Sequence, residues 1–172
     1  MAELWDLYDL DLKPLNRTHI RGEQLSEGEF HIVVNILSVN KSGKILITKR
    51  HPDKPFGGKW EISGGSVIAG ETPLEGAKRE LFEETGLNAE INKLLYMGQI
   101  IREQSGCIHN FYLYSEDFSE KDITLQQTET VDFKLVSADE IYEMAKSGEF
   151  LDFSYNRIKA VYADIFGRNM DK

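Results

Sequence analysis

The three glutamates Glu80, Glu83 and Glu84 are the residues whose spacing most directly suggests chemistry. On an α-helix, residues three and four positions apart lie on the same face, so these carboxylates would converge. Like charges at this spacing repel, at a cost of roughly 0.2–0.5 kcal/mol per pair. A hard divalent cation such as Mg²⁺ would remove the repulsion, because it binds carboxylate oxygens and keeps coordination positions for phosphate. The alternative is a solvated acidic face that Lys78 and Arg79 partly neutralise.

The residues around these glutamates predict a helix over residues 73–85. Thr72 is a suitable N-cap, Pro73 suits the first helical position, and Glu75 stands where a capping box requires it. Gly86 supplies the C-terminal stop. The inward stripe of this helix is formed by Leu74, Ala77, Leu81 and Thr85. The three carboxylates therefore fall on a different face from the one that packs against the core.

A glycine pair, Gly64-Gly65, and then Glu71 precede this helix. Glycines let the backbone approach a ligand closely. With the helix, these residues resemble the signature of the Nudix hydrolase family: Gly, five residues, Glu, seven residues, Arg-Glu, aliphatic, any residue, Glu-Glu, any residue, Gly, aliphatic. The matching residues are Gly65, Glu71, Arg79, Glu80, Leu81, Glu83, Glu84, Gly86 and Leu87, with every spacing intact. This Nudix box covers residues 65–87.

The resemblance implies a catalytic set and a metal site. The catalytic set is Glu71, Arg79, Glu80, Glu83 and Glu84. The three helix glutamates would hold Mg²⁺ or Mn²⁺ with a main-chain carbonyl at Gly64 or Gly65, while Arg79 orients them and Glu71 braces the loop. Metal ions neutralise diphosphate oxygens and acidify water, and one glutamate could instead act as the base. The expected activity is hydrolysis of a diphosphate bond in a small molecule, a nucleoside diphosphate linked to another group.

The N-terminal half resembles a particular branch of the family, the one akin to isopentenyl-diphosphate isomerase. The resemblance is carried by residues 5–9, 17–23 and 28–31. That isomerase moves a double bond with a cysteine, metal-binding histidines and a glutamate. Here Gly64 stands at the cysteine position, and Gln24 replaces the histidine partner of His31. A hydrolase is therefore the favoured prediction, and an isomerase or a non-enzymatic ligand-sensing module are the alternatives.

Five further residues are candidate substrate ligands. Phe56 and Trp60 could stack on a nucleobase, or they could fill the core as loop aromatics often do. Arg50 belongs to a basic cluster that either contacts phosphate or forms a solvated strand end. Glu129 is either a further acidic residue of the site or a solvated carboxylate at a strand edge. Arg21 is either a substrate contact or part of a hairpin surface.

The remaining sequence predicts the elements that must position this site. The predicted strands are 4–9, 30–39, 44–50, 91–101, 108–115 and 131–136, and the predicted helices beyond the box are 137–146 and 154–166. Residues 51–70 read as a functional, loop-rich segment. We expect an α+β fold, a Nudix-type α/β/α sandwich with a mixed, curved sheet between helices, as a single domain over residues 1–172.

The composition of the chain limits the binding partners and the cellular compartment that we expect. The chain has 172 residues and a net charge of −9, which disfavours nucleic-acid and anionic-membrane partners. No stretch approaches the ~20 apolar residues of a membrane span, and the acidic N-terminus does not resemble a secretory signal. The single cysteine, Cys107, reads as a small packed residue and indicates the reducing cytoplasm. The expected partner is a small diphosphate substrate, and the sequence allows a homodimer.

Overall fold

The described part of the chain contains nine strands and three α-helices, which include the six predicted strands and the three predicted helices. A computed structural model describes residues 2–167. In chain order the elements are β1 (Leu4–Tyr8), β2 (Pro14–Ile20), β3 (His31–Asn40), β4 (Ile45–Arg50), β5 (Trp60–Glu61), β6 (Ser63–Ser66), α1 (Pro73–Thr85), β7 (Leu94–Arg102), β8 (Cys107–Glu116), β9 (Thr130–Val136), α2 (Ala138–Lys146) and α3 (Asp152–Phe166). No helix among these is both long and apolar enough to cross a bilayer.

Seven of the strands form one mixed sheet in the order β5-β4-β3-β8-β7, with β6 also paired to β3 and β9 to β4. The central pair, β3 and β8, is parallel and in register from His31–Cys107 to Asn40–Glu116. The other pairings in this sheet are antiparallel. Strands β1 and β2 form a separate antiparallel hairpin. This hairpin is joined to the main sheet by a bridge between Tyr8 and Phe30.

The sheet lies between two hydrophobic cores, one under α1 and the other under α2 and α3. Successive side chains of a strand point to opposite faces, so β3 contributes Val34 and Ile36 to the first core and Leu37 and Val39 to the second. Such a strand is buried on both faces, which explains its near-continuous apolar sequence. The predicted α+β sandwich, with a mixed sheet between helices, is confirmed.

Helix α1 begins and ends where its capping residues predict. The Thr72 hydroxyl accepts a hydrogen bond from the Glu75 N–H at 3.3 Å, and the Glu75 carboxylate accepts from the Thr72 N–H at 2.8 Å. Gly86 ends the helix with a φ of 75°, a left-handed conformation that glycine adopts without strain. Local sequence is therefore sufficient to place the three glutamates on a helix of known limits.

Three parts of the sequence-based description differ from the structure. Residues 91–93 form a 3-10 turn before β7 instead of its first residues. Strand β2 was not predicted, and the loop-rich segment 51–70 contains β5 and β6. The Ser-Gly-Gly-Ser sequence of β6 has no intrinsic preference for a strand, and it is extended because it pairs with β3. The single domain over residues 1–172 stays a prediction, with residues 1 and 168–172 outside the described residues.

Candidate active site

A pocket of about 250 Å³ lies beside α1, at strand β6 and the loop that follows β4. Helix α1 buries Leu81 and Ala77 completely in the first core, which leaves its glutamates at the pocket. The acidic residues of the wall are Glu3, Glu80, Glu83, Glu84 and Glu129, and the basic residues are Arg21, Arg50, Lys54 and Arg79. The pocket therefore combines groups that suit a cation with groups that suit a phosphate.

Arg79 fixes the positions of three of the predicted carboxylates. Its guanidinium donates two hydrogen bonds to Glu71, at 2.8 and 3.0 Å, and one to Glu80 at 2.7 Å. It also reaches Glu83 at 3.1 Å and the backbone carbonyl of Ser66 at 3.0 Å. Burial lowers the pKa of Arg79, but the hydrogen bonds to Glu71 and Glu80 raise it overall, so it stays charged. Arg79 thus ties the loop to the helix.

The two glycines before the helix leave no space for a side chain. A Cβ on Gly65 would lie 2.4 Å from the Glu80 carboxyl, and a Cβ on Gly64 would lie 2.3 Å from the Val34 carbonyl oxygen. Strand β6 is therefore pressed between β3 and α1. The Gly64 N–H donates to the Glu84 carboxylate at 3.2 Å. The metal-ligand role predicted for Gly64 concerns its carbonyl and stays a prediction.

Glu84 is the most deeply buried carboxylate of the pocket, with 7% of its surface exposed. Burial raises its pKa well above the usual value, and the nearby charges of Glu61 and Glu80 raise it further. Burial also raises the pKa of Glu61 and of Glu80, although Arg50 and Arg79 respectively oppose the shift. A cluster of buried carboxylates that destabilise one another has the oxygen donors and the unbalanced charge that a hard divalent cation requires.

The donor chemistry fits a metal ion, but the side chains do not yet surround a common ion position. Among residues 2–167, no three His, Cys, Asp or Glu side chains converge as a ready-made metal site. Glu80 and Glu83 instead point to Arg79, at 2.7 and 3.1 Å. Binding of a cation would require these carboxylates to exchange a contact with Arg79 for a contact with the ion.

Comparison with known proteins identifies the family of this chain. The family profile described as "NUDIX domain" matches residues 29–154. This chain belongs to the Nudix hydrolase family. An uncharacterized Nudix hydrolase from Listeria monocytogenes is 32% identical over 155 residues, which cover 89% of this chain and 90% of the relative.

Solved structures show the same fold for this Nudix protein. The crystal structure of DR0079 from Deinococcus radiodurans matches 93% of this chain and 99% of that chain with a TM-score of 0.77 and 21% identity. A bifunctional NMN adenylyltransferase/ADP ribose pyrophosphatase from Francisella tularensis, determined with AMP and a manganese ion, matches with a TM-score of 0.64 and 21% identity. That match covers 78% of this chain and 42% of the other.

Several residues in or beside the pocket next to α1, from here on the Nudix pocket, were not identified from the sequence. Glu61 is 9% exposed and pairs with Arg50 at 2.6 Å, and Lys54 pairs with Glu129. The sequence did contain one signal for Glu61, which is a single charged residue between the apolar Trp60 and Ile62. Because side chains alternate between the two faces of a strand, Glu61 points away from the core that Trp60 and Ile62 enter. Lys54 gave no comparable signal, since it lies in a loop whose path depends on the tertiary fold.

The structure brings Arg50 and Glu129 to the pocket but not the two aromatic candidates. Trp60 is 4% exposed and packs in the second core, with the ammonium groups of Lys49 and Lys134 at 5.6 and 4.6 Å from its ring centre. This position favours the core-filling alternative, because a nucleobase cannot stack on a ring that the core encloses. Phe56 is 64% exposed and does not line the Nudix pocket. Its ring packs edge-on against the ring of Phe153, with the two ring centroids 5.8 Å apart.

Proposed function

We propose that this Nudix protein hydrolyses a diphosphate bond within a small molecule in a reaction that depends on Mg²⁺, with Mn²⁺ as the alternative ion. The proposed substrate class is a nucleoside diphosphate linked to a second group. The observation that supports it is the pocket itself, in which the buried Glu84 and the half-buried Glu80 lie beside the basic residues Arg50, Lys54 and Arg21. Carboxylates bind hard divalent ions, and the basic side chains can balance the negative charge of phosphate oxygens.

The proposed roles join the signature of the family to the contacts of Arg79. Glu80, Glu83 and Glu84, with the carbonyl of Gly64, would hold the ion, and Arg79 and Glu71 would position these ligands through their hydrogen bonds. When bound, the ion supplies charge neutralisation and acidifies a water molecule. One of these three glutamates would instead serve as the general base that accepts the proton of the attacking water.

The basic residues of the pocket bind the phosphates. Arg50 is held by Glu61 and by the Pro55 carbonyl at 2.9 Å, and Arg21 is held by Glu3 at 2.8 Å. These contacts orient both guanidinium groups but occupy only some of their hydrogen-bond donors, since each guanidinium has five N–H groups. Glu129 acts through Lys54, whose ammonium it contacts.

The related structure from Francisella tularensis supports the bond type but not a particular leaving group. Its name specifies an ADP ribose pyrophosphatase, and it was determined with manganese. Its sequence identity of 21% leaves the residues that contact the second group free to differ. The substrate of the present protein therefore has to be found by experiment.

The experiment is a hydrolysis assay on a panel of nucleotides, sugar nucleotides, dinucleotides and isoprenyl diphosphates. We expect activity with Mg²⁺, loss of activity in excess chelator, and recovery when Mg²⁺ is restored. Glu83→Gln should lower turnover by about 100-fold or more, since it removes a ligand charge. Glu143→Gln, an exposed carboxylate on α2, is the matched control and should leave turnover unchanged. Full activity in excess chelator would contradict the proposal.

Two further properties follow from the sequence and stay predictions. These are a cytoplasmic location and the absence of nucleic-acid and membrane partners, while the sequence also allows a homodimer. The isopentenyl diphosphate in the panel addresses the isomerase alternative, because an isomerase would consume it without releasing phosphate.

A further inference from the structure

Glu61 is a nearly buried carboxylate that lies beside the Nudix pocket without lining it. Its side chain is 12% exposed, and it is absent from the pocket wall to which Arg50, Lys54 and Glu84 belong. The signature of the family begins at Gly65 and does not include this position. The roles proposed above therefore leave Glu61 without one.

The charge of Glu61 is unfavourable for the stability of the fold. Burial raises the pKa of Glu61, which means that the charged form is disfavoured at this position. Its negative charge also raises the pKa of the neighbouring Glu84. An ion pair in such a place seldom stabilises a protein more than well-packed apolar residues of the same volume would. The pair that Glu61 forms with Arg50 therefore has to be explained by something other than stability.

Strand pairing brings Glu61 and Arg50 together. Glu61 of β5 pairs with Thr48 of β4, and Arg50 lies two residues further along β4. Diagonal neighbours of this kind are within reach of each other when their side chains are long. Nη1 of Arg50 donates a hydrogen bond to Oε1 of Glu61 at 2.6 Å. The direction of the Arg50 side chain is thus set by a residue of the adjacent strand.

Arg50 in turn closes the loop that follows β4. Its Nε donates to the Pro55 carbonyl at 2.9 Å, and its backbone N–H donates to the Lys59 carbonyl at 3.0 Å. The guanidinium therefore lies at the base of the loop and holds its middle. Lys54, which lines the Nudix pocket, directly precedes Pro55. The position of Lys54 consequently depends on where the Arg50 guanidinium is held.

We infer that Glu61 is a positioning residue for phosphate binding, which acts on the substrate through Arg50 and Lys54. Its carboxylate fixes the Arg50 guanidinium from one side and leaves other N–H groups of that guanidinium to phosphate oxygens. By holding Arg50, it also keeps the contact with the Pro55 carbonyl and the backbone that carries Lys54. The inference rests on the proposed function, because the oxygens to be bound are those of the diphosphate.

The first test measures phosphate binding without hydrolysis. The probe is the α,β-methylene analogue of ADP, whose bridging carbon resists hydrolysis, and its affinity is measured by titration calorimetry with Mg²⁺. Glu61→Gln should weaken binding about tenfold, since it removes the charge that holds the guanidinium. Asp117→Asn is the control, because Asp117 forms an exposed ion pair with Lys41 outside the pocket, and it should leave the affinity unchanged. Native affinity in Glu61→Gln would overturn the inference.

A double-mutant cycle with Arg50 separates positioning from a direct contact. Arg50→Gln should weaken binding of the analogue by about tenfold or more, because it removes a phosphate ligand. The variant with both substitutions should bind no more weakly than Arg50→Gln alone, because Glu61 acts through Arg50. If the two losses add, Glu61 acts independently of Arg50 and the inference is wrong.

Arg50→Lys decides the question if Glu61→Gln fails to fold. Lysine keeps the positive charge but lacks the planar fork that meets Glu61 and the Pro55 carbonyl at the same time. The affinity for the analogue should therefore fall about as far as in Arg50→Gln. An affinity equal to that of the native protein would show that charge alone is sufficient, and the positioning role would have to be abandoned.

Turnover distinguishes a role in phosphate binding from a role at the ion. Glu61→Gln should raise KM about tenfold, while kcat and the Mg²⁺ concentration for half-maximal turnover change by less than about threefold. A tenfold higher Mg²⁺ requirement with unchanged KM would contradict the inference. If the panel is hydrolysed and Glu61→Gln behaves as the native protein, only the inference fails. If no panel member is hydrolysed but the binding cycle holds, only the proposed function fails.

Discussion

The two faces of the central sheet carry polar side chains of opposite type. The face covered by α1 buries the carboxylates Glu61 and Glu84, and the face covered by α3 carries two basic side chains, the buried His109 and the half-buried Arg157. Successive residues of a strand point to opposite faces, so one sheet can separate the two sets of side chains. The two faces differ in whether these side chains find their partners within the protein.

The basic face is satisfied by neutral partners within the protein. Arg157 donates to the Asn35 side-chain oxygen at 3.0 Å and lies 3.3 Å from Nε2 of His109. Asn35 in turn contacts Nδ1 of His109 at 3.4 Å. No carboxylate of the described residues lies within ion-pair distance of Arg157, and burial lowers its pKa to about 10, so it remains charged at neutral pH. This network needs no ligand to complete it.

The acidic face is different because its charges open onto a pocket. Glu61 has Arg50 and Glu80 has Arg79, but Glu84 has only the Gly64 N–H as a hydrogen-bond donor among the described residues. Carboxylates held together at a pocket lower the stability of the protein in the absence of a cation. We therefore expect substitutions on the acidic face to affect activity, and substitutions on the basic face to affect stability.

The largest effect is expected for Glu84→Gln. This change keeps the shape of the side chain and removes one negative charge, and it should lower turnover by about a thousandfold, since the bound ion supplies several kcal/mol. Stability without metal should not fall, and it should rise by a few tenths of a kcal/mol, about the value of one like-charge pair. The measurements are turnover with saturating Mg²⁺ and thermal melting in chelator. A variant that is destabilised but fully active would make Glu84 a structural residue.

Leu81→Ala tests the other side of the same helix. Leu81 is fully buried, so a cavity should form and the free energy of unfolding should fall by about 2–5 kcal/mol. Activity per folded molecule should be retained, because the carboxylates lie on a different face of α1. Chemical unfolding and turnover corrected for the folded fraction check this. A specific loss of turnover in the folded fraction would show that the core and the site cannot be treated separately.

His109→Gln tests the basic face through pH. Burial, and then the charge of Arg157, lower the pKa of His109 to about 3, whereas an unfolded histidine titrates near 6.5. Below about pH 6.5 the unfolded chain binds a proton that the folded protein does not, so this histidine destabilises the fold increasingly as the pH falls. Between pH 7 and pH 5 the stability of the variant relative to the native protein should improve by about 2 kcal/mol. Denaturant unfolding at both pH values measures this, and an unchanged difference would contradict it.

The smallest effect is expected for Cys107→Ser. Cys107 does not line the Nudix pocket, and its side chain contacts His31 and the Ser105 carbonyl. Hydrolysis should therefore change by less than about tenfold, which corresponds to about 1.4 kcal/mol. A larger loss of turnover in a folded variant would return a cysteine mechanism, and with it the isomerase alternative, to consideration.

The sequence by itself determined the helix that carries the chemistry. The capping residues Thr72 and Glu75, with Gly86 at the other end, act within a few positions, and this is why α1 matches its predicted limits. The spacing of the three glutamates then fixes their common face. The predicted strands of the main sheet are also present, because long apolar or alternating runs carry their own signal.

The tertiary structure decided what surrounds those glutamates. Strand β6 is extended because it pairs with β3, and Gly65 is needed because Glu80 occupies the space of its side chain. Trp60 enters the second core and Glu61 meets Arg50 on the opposite face because pairing of β5 with β4 sets which face each residue meets. The contacts that hold Arg50, Lys54 and Arg21 join segments distant in the chain, and no local pattern of residues encodes such pairings.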